Sequence, residues 1–256
     1  MHIEDLRDKV CLITGASQGI GAAAARGLAA AGLRVGVHYH RSAAAAAAVA
    51  GDIAAAGGEA FLLHGDIREH GTVERLIREI VDQYGSLSIL INNAGDLIER
   101  HPAAETSDEM FDQHVALNMR PVFAGCRAAV RQFRAQGHGG GIINLSSVAA
   151  RTGGGGGSSL YAASKAFVAT FTRALAKEVA PEGIRVNAVS PGVIATPMQD
   201  RTTPREAQEA VRRMIPMGRI GAADECVGAF LYLCSERLSG YVTGQMIEVN
   251  GGLAMP

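Results

Sequence analysis

Seven short β-rich runs alternate with longer segments of helical pattern along this chain. The predicted strands cover residues 10–14, 34–38, 60–64, 89–92, 142–146, 185–189 and 246–249. Repeated strand–helix–strand order gives parallel strands joined by right-handed crossovers, so helices are expected on both faces of the sheet. The sequence therefore predicts a doubly wound α/β fold with a seven-stranded parallel sheet.

The first predicted strand runs into a glycine-rich turn and then into an alanine-rich helix. Gly15, Gly19 and Gly21 lie in this turn. Glycine permits a tight turn and a close approach of the backbone to a pyrophosphate, and the first N–H groups of the helix favour an anion. Any single glycine spacing is weak evidence in a chain with 32 glycines, so the prediction depends on the order of strand, turn and helix. That order indicates a dinucleotide-binding turn.

Tyr161 and Lys165 are four residues apart in a segment of helical pattern, so their side chains share one helix face. A free tyrosine has a pKa of about 10 and exchanges its proton poorly at neutral pH. Lowering that pKa by roughly three units takes about 4 kcal/mol, which a neighbouring ammonium and a cationic cofactor ring can supply together. The spacing predicts a general acid/base with its cationic partner, and a chance pairing is the alternative.

Length and charge narrow the class of protein. A chain of 256 residues with 48% hydrophobic and 19% charged residues predicts one globular domain over residues 1–256. The formal net charge of −1 gives no general reason to expect nucleic acid or an anionic membrane as a partner. The charged start MHIEDLRDK and the interrupted apolar stretches predict neither a signal peptide nor a membrane span.

The cysteines and histidines form no metal-binding or redox motif in the sequence. Cys11, Cys126, Cys226 and Cys234 lack CxxC spacing, and the eight histidines include no HExxH. We therefore expect no metal site. We expect the cysteines to be buried, reduced thiols, which fits a cytoplasmic protein.

The turn and the tyrosine–lysine pair belong to an ordered set of motifs that resembles the single-domain type of the short-chain dehydrogenase/reductase family over nearly the whole chain. The matching residues are TGASQGIG at 14–21, NNAG at 92–95, Asn118, Ser147 after the strand GIINLS, Tyr161 with Lys165, and Pro191-Gly192 followed by Thr196. The resemblance implies a Rossmann fold and an oxidoreductase that uses NAD(P)(H), similar to 3-oxoacyl-acyl-carrier-protein reductases and glucose dehydrogenases. It also implies a homotetramer, with a dimer left open.

In the resembling family, the residue that ends the second strand selects the cofactor. An acid there binds the ribose hydroxyls of NAD(H) and disfavours a 2′-phosphate. Tyr39 occupies this position here, followed by His40 and by Arg41, whose guanidinium can bind a phosphate. NADP(H) is therefore favoured over NAD(H). Gln18 stands where many NADP-preferring relatives carry a basic residue, so dual use stays open, and a solvated helix-start charge is the alternative for Arg41.

The resemblance implies further cofactor contacts at the carboxyl ends of the strands. Asp66 would accept from the adenine amine, with a helix N-cap as its alternative role. Thr196 would hold the nicotinamide carboxamide, and capping near Pro197 is its alternative. The predicted cofactor-binding residues are Gly15, Ser17, Gln18, Gly19, Ile20, Gly21, Tyr39, His40, Arg41, Asp66, Ile67, Asn93, Ala94, Gly95, Tyr161, Lys165, Pro191, Gly192, Val193, Ile194 and Thr196.

Four catalytic residues also follow from the resemblance. Tyr161 would donate a proton to the carbonyl oxygen, while Lys165 would bind the nicotinamide ribose and lower the tyrosine pKa. Ser147 would hydrogen-bond the same carbonyl oxygen, and Asn118 would link the lysine to a chain of waters. Strand alternation favours Ser147 over its neighbour Ser146, although a shift of register would exchange them.

The resemblance implies a small-molecule carbonyl or alcohol substrate without identifying it. Reduction of a keto group by NADPH, as in 3-oxoacyl-thioester reductases, is the first prediction. The alternatives are a sugar or polyol dehydrogenase that works in the oxidative direction, and a non-catalytic NADP-sensing protein. We expect the substrate loop around residues 192–217. Five successive glycines at 153–157 predict either a mobile rim of the site or an ordinary surface loop.

Overall fold

Seven parallel strands form the central sheet of this computed structural model, which describes residues 3–255. The sheet order is β3-β2-β1-β4-β5-β6-β9, and each neighbouring pair is parallel. A separate two-stranded ribbon pairs β7 with β8. The strands are β1 (Val10–Ile13), β2 (Arg34–Tyr39), β3 (Glu59–His64), β4 (Ile89–Asn92), β5 (Gly140–Leu145), β6 (Ile184–Pro191), β7 (Ile194–Ala195), β8 (Gly221–Ala222) and β9 (Met246–Val249).

Helices cover both faces of the sheet, which confirms the predicted doubly wound fold. Helices α1, α2 and α10 pack on one face, and α3, α5 and α7 pack on the other. The helices are α1 (Gly19–Ala30), α2 (Ala43–Ala55), α3 (Thr72–Tyr84), α4 (Asp108–His114), α5 (Arg120–Gln136), α6 (Ala149–Thr152), α7 (Ser159–Val179), α8 (Pro197–Thr202), α9 (Arg205–Met214), α10 (Val227–Cys234) and α11 (Glu236–Ser239).

Each face of the sheet has its own hydrophobic core, and strand alternation assigns residues to one or the other. In β1, Cys11 and Ile13 pack with Phe230 on the side of α1 and α10. Val10 and Leu12 point the opposite way, into the core of α3, α5 and α7. The central strands β1 and β4 are fully buried between these cores and are largely apolar, whereas the edge strands β3 and β9 are partly exposed. The four cysteines are free thiols, all of them buried.

A π-helical turn, Val115–Met119, separates α4 from α5. Pro121 follows at the first turn of α5. Proline has no N–H group, so the regular helical hydrogen bond to the preceding turn cannot form there. The turn matters for the site because it carries Asn118.

The predicted substrate loop, residues 192–217, contains β7, α8 and α9. In the part of the chain that the structure describes, residues 3–255, no helix is both long and apolar enough to cross a membrane.

Candidate active site

The glycine turn after β1 is held against the loop that follows β4. Asn93 Nδ2 donates to the carbonyl oxygens of Thr14 (2.8 Å) and Gly15 (2.9 Å), and Asn93 N donates to Thr14 Oγ1 (3.0 Å). Gly15 has φ of +63°, and a Cβ there would lie 2.9 Å from Ala94 Cα. A Cβ on Gly21 would overlap Gly15 O and Asn93 Nδ2. Only glycine fits at these two positions, and the turn leaves an open backbone cradle for a phosphate group.

His38 fixes the other side of the turn, and sequence reasoning did not assign it a role. The side chain is 2% exposed; Nδ1 accepts from Gly15 N (3.0 Å), and Nε2 donates to Gly65 O (3.0 Å). These two bonds require a neutral imidazole with its proton on Nε2. Burial lowers the pKa of His38 to about 4. A histidine in the apolar strand sequence RVGVHY was the signal available for it.

A groove of about 620 Å³ extends from the turn across the carboxyl ends of β2 and β3. Tyr39, His40 and Arg41 line this groove, and the second strand ends without an acid, as the sequence indicated. The other predicted cofactor residues on its walls are Gly15, Ser17, Gln18, Asp66, Ile67, Ala94 and Gly95.

Asp66 does not cap α3, whose N-cap residue is Gly71. Its carboxylate instead accepts from Arg68, with Nε 2.9 Å from both Oδ1 and Oδ2, and from Arg68 N at 3.0 Å. Hydrogen bonds from Arg68 lower the pKa of Asp66 to about 2. His40 Nε2 lies 3.8 Å from the same carboxylate. Arg68 was missed in the sequence, where an arginine two residues after an aspartate carries no recognised pattern.

A smaller cavity, of about 80 Å³, lies at the inner end of the site. It brings together ten of the residues predicted from separate segments of the chain: Ile20, Asn93, Gly95, Ser147, Tyr161, Lys165, Pro191, Gly192, Ile194 and Thr196. Val193 lines a different cavity, next to Met217 and Met255.

Tyr161 and Lys165 share one face of α7, with Lys165 Nζ 5.7 Å from the centre of the tyrosine ring. The ammonium is buried and donates to Leu145 O (2.8 Å). Burial raises the pKa of Tyr161 to about 12, partly offset by a hydrogen bond with Ser147. Burial also lowers the pKa of Lys165 to about 8. The lysine was expected to lower the tyrosine pKa; in this structure desolvation of the phenol is the larger effect.

The neighbouring serines after β5 point in opposite directions. Ser146 Oγ donates to Lys165 O (2.9 Å), so it is bound to the backbone of α7. Ser147 Oγ accepts from Ala149 N (3.1 Å) and forms the hydrogen bond with the Tyr161 side chain. Ser147 therefore combines strand-end capping with a position beside the tyrosine.

Asn118 is fully buried in the π-helical turn. Its Oδ1 accepts from Asp96 N (2.9 Å), and its Nδ2 donates to Asp96 O (2.9 Å) and to His114 Nδ1 (3.3 Å). A Cβ on Gly95 would lie 2.8 Å from Asn118 Oδ1 and 3.1 Å from Lys165 Nζ. Glycine at position 95 thus lets the amide and the ammonium approach the same point from two sides.

Comparison with known proteins identifies the family. A model of the family described as enoyl-(acyl carrier protein) reductase matches residues 15–254. The chain is 38% identical over 253 residues to the 3-oxoacyl-[acyl-carrier-protein] reductase of Synechocystis sp., which covers 98% of both chains. The chain belongs to the short-chain dehydrogenase/reductase family. It is an oxidoreductase of carbonyl and alcohol groups with a fold that binds a nicotinamide dinucleotide.

Other relatives of this short-chain dehydrogenase/reductase have different activities. The L-rhamnose 1-dehydrogenase (NAD(P)(+)) of Azotobacter vinelandii is 36% identical over 252 residues, 97% of each chain. The crystal structure of NADH-dependent reductase A1-R′, responsible for alginate metabolism, superimposes with a TM-score of 0.89 at 36% identity, covering 98% of this chain and 99% of that one.

Two arginines connect the loop after β4 to α8 in this short-chain dehydrogenase/reductase. Arg201 Nη2 donates to both carboxylate oxygens of Asp96 (2.6 Å), and Nη1 donates to Ile98 O (2.8 Å). In the reverse direction, Arg100 Nε donates to Thr202 O (2.9 Å). We call this set of contacts, made by Asp96, Ile98, Arg100 and Arg201, the arginine clasp.

The five-glycine run at 153–157 is tied to the clasp. Gly156 O accepts from Arg100 Nη1 (3.0 Å), and Gly157 O accepts from His101 N (2.9 Å). Positive φ at Gly153, Gly154 and Gly157 explains the choice of glycine there. The run is therefore tethered to the loop after β4, and its role at the site stays a prediction.

Thr196 lies between the glycine turn and the substrate side. Its Oγ1 accepts from Gln199 N (3.3 Å), so it caps α8, and its Cγ2 would lie 3.3 Å from a Cβ on Gly19. The capping role and the position beside the turn occur together.

Proposed function

We propose that this protein is an NADPH-dependent reductase that converts a keto group to a secondary alcohol, in the manner of 3-oxoacyl-thioester reductases. The observation that carries the proposal is the meeting of the Ser147 hydroxyl, the Tyr161 phenol and the Lys165 ammonium in one cavity at the inner end of the groove. The Synechocystis relative, named as a 3-oxoacyl-[acyl-carrier-protein] reductase, supports this choice of substrate class.

In the proposed reaction, bound NADPH supplies hydride to the carbonyl carbon. Tyr161 donates its proton to the carbonyl oxygen as that oxygen becomes an alkoxide. Its raised pKa keeps the phenol protonated at neutral pH, and the Lys165 ammonium beside it would stabilise the phenolate that forms when the proton leaves. Ser147 donates a hydrogen bond to the same oxygen and stabilises the developing charge. Lys165 binds the nicotinamide ribose, and Asn118 holds the loop beside it through Asp96.

We also propose a preference for NADP(H) over NAD(H). The glycine cradle accommodates the pyrophosphate, and Tyr39 with Arg41 replaces the acid that would bind an unphosphorylated ribose. Residues 93–95 and Thr196 would hold the nicotinamide side. The relatives include one protein named for NADH and one for NAD(P)(+), so the preference rests on this chain's own residues.

A sugar dehydrogenase that works in the oxidative direction is the second candidate, which the Azotobacter vinelandii relative favours. A non-catalytic NADP sensor has less support, because Ser147, Tyr161 and Lys165 are all in place. We further propose that the protein is cytoplasmic and forms a homotetramer. The exposed aromatic side chains Phe111 on α4 and Phe123 on α5 support the assembly.

The test is NADPH consumption against 3-oxoacyl thioesters, keto sugars, diketones and quinones, with Tyr161→Phe as the control. We expect Tyr161→Phe to bind NADPH normally and to lose at least about a hundredfold in kcat, because only the proton donor is removed. Near-normal turnover in this variant would overturn the mechanism. Tight NADPH binding without turnover of any of these substrates would direct the search to sugar oxidation.

A further inference from the structure

An acid does face the adenosine end of the groove, and a neighbouring arginine neutralises it. Asp66 is the groove-lining acid after β3, and both of its carboxylate oxygens accept from Arg68. The Asp66 side chain is 15% exposed and the Arg68 side chain is 42% exposed. Both side chains line the groove, and the guanidinium is the more accessible of the two.

The ion pair also fixes the orientation of the guanidinium. Nε and one Nη2 hydrogen of Arg68 are used by Asp66. A guanidinium has five N–H donors in a rigid plane, so three remain for a second acceptor. An arginine already held in place loses little side-chain entropy when it binds an anion.

The N–H donors at this end of the groove suit a phosphate monoester. Arg41, Arg68 and His40 line the groove with Asp66, and Arg75 on α3 donates to His64 O (2.9 Å). A phosphate monoester carries close to two negative charges at neutral pH and accepts several hydrogen bonds. Arg41 supplies net positive charge, and Arg68, whose own charge is balanced by Asp66, adds N–H donors in a fixed plane at the same end.

We propose that Arg68 is a specificity-determining residue that binds the 2′-phosphate of NADP(H) together with Arg41, and that Asp66 serves to hold Arg68. This inference rests on the proposed NADP(H) preference. It assigns Asp66 a positioning role where the sequence predicted a direct contact with the adenine amine. It also explains how an acid can lie close to a bound phosphate, because the Asp66 carboxylate is already paired with Arg68.

The test measures binding without catalysis, by calorimetric titration of NADPH, NADH, 2′,5′-ADP and ADP into the wild type and the variants. We expect Arg68→Ala to raise the Kd for NADPH and for 2′,5′-ADP by at least about tenfold, and the Kd for NADH and ADP by less than about threefold. Arg68→Lys keeps the positive charge but loses the planar set of N–H donors, so its loss of affinity for NADPH and 2′,5′-ADP should be intermediate. Arg78→Ala is the matched control, because Arg78 is an exposed arginine on α3 that does not line the groove.

Each other outcome has a distinct meaning. Equal losses for all four ligands would place Arg68 against the adenine ring and overturn the inference. Unchanged affinities in Arg68→Ala would show that Arg68 forms only a surface ion pair with Asp66, and this result would also overturn the inference. If wild-type protein binds NADH as tightly as NADPH, and ADP as tightly as 2′,5′-ADP, the proposed preference for NADP(H), on which this inference rests, is itself refuted.

Discussion

His38 shows how one residue can make the cofactor turn sensitive to acid. Its neutral ring joins the turn after β1 to the end of β3 through Gly15 N and Gly65 O. Protonation of Nδ1 would place an N–H group against the N–H group of Gly15. The folded pKa of about 4 lies below the ordinary histidine value of 6.5. The unfolded chain therefore binds more protons between these two values, and stability falls as the pH falls from about 6.5 to 4.

We expect His38→Asn to lose less stability than the wild type over this pH window. The difference between the folded pKa of about 4 and the ordinary value of 6.5 corresponds to a wild-type loss on the order of 3 kcal/mol, which asparagine, having no titratable group, would not show. Urea unfolding at pH 7, 5.5 and 4 measures the difference between the two proteins. Burial also lowers the pKa of His114. Because His114 is present in both proteins, its contribution to the pH dependence cancels in the comparison. Parallel pH profiles for the two proteins would rule out His38 as the sensitive group.

At the scale of elements, the arginine clasp joins the loop after β4 to α8, and Asp96, Ile98 and Arg201 line the larger groove. Ile98, in the middle of the clasp, has φ of +63°. This conformation is unfavourable for a β-branched residue, by an amount on the order of 1–3 kcal/mol. Its carbonyl accepts from Arg201 and its N–H donates to Asp96 Oδ1 (3.2 Å). The ion pair between Arg201 and Asp96 therefore helps to hold the strained residue. Met198 and Gln199 of α8 line the small cavity, whose volume of about 80 Å³ is smaller than a substrate needs.

We expect Arg201→Ala to release α8 from the loop. Hydrogen exchange should become faster in residues 96–101 and 197–203, and the KM for a keto substrate should rise several-fold with a smaller change in kcat, because the reacting groups are untouched. Arg212→Ala is the control, since Arg212 forms a surface ion pair with Glu209 within α9. Exchange rates in those segments that match the control would show that the clasp does not restrain α8.

Across the whole molecule, the strands and the converging motifs were predictable for a common reason. The central strands β1 and β4 are buried on both faces and are therefore largely apolar runs, and parallel strands bring their carboxyl ends to one edge. Side-chain partners were not predictable, because they depend on the paths of the loops. Arg201 and Asp96 are 105 residues apart in the chain, and no periodicity connects them. The π-helical turn was not predicted, although Pro121, which cannot donate a helical hydrogen bond, was a signal for an interrupted helix.

The proposed homotetramer gives the whole molecule a role for its exposed aromatic surface. Phe123 on α5 is 43% exposed, and its ring lies 6.1 Å from that of Phe171 on α7. An aromatic pair left at the surface of two long helices favours burial against another subunit.

We expect the wild type to have about four times the 26.6 kDa chain mass in light scattering. We expect Phe123→Glu to shift the protein to smaller species, because a carboxylate in an apolar interface is costly. Leu62→Glu is the matched control, since Leu62 is 37% exposed on the edge strand β3. A tetramer that survives Phe123→Glu would place the interface elsewhere, whereas a monomeric wild type would refute the assembly itself.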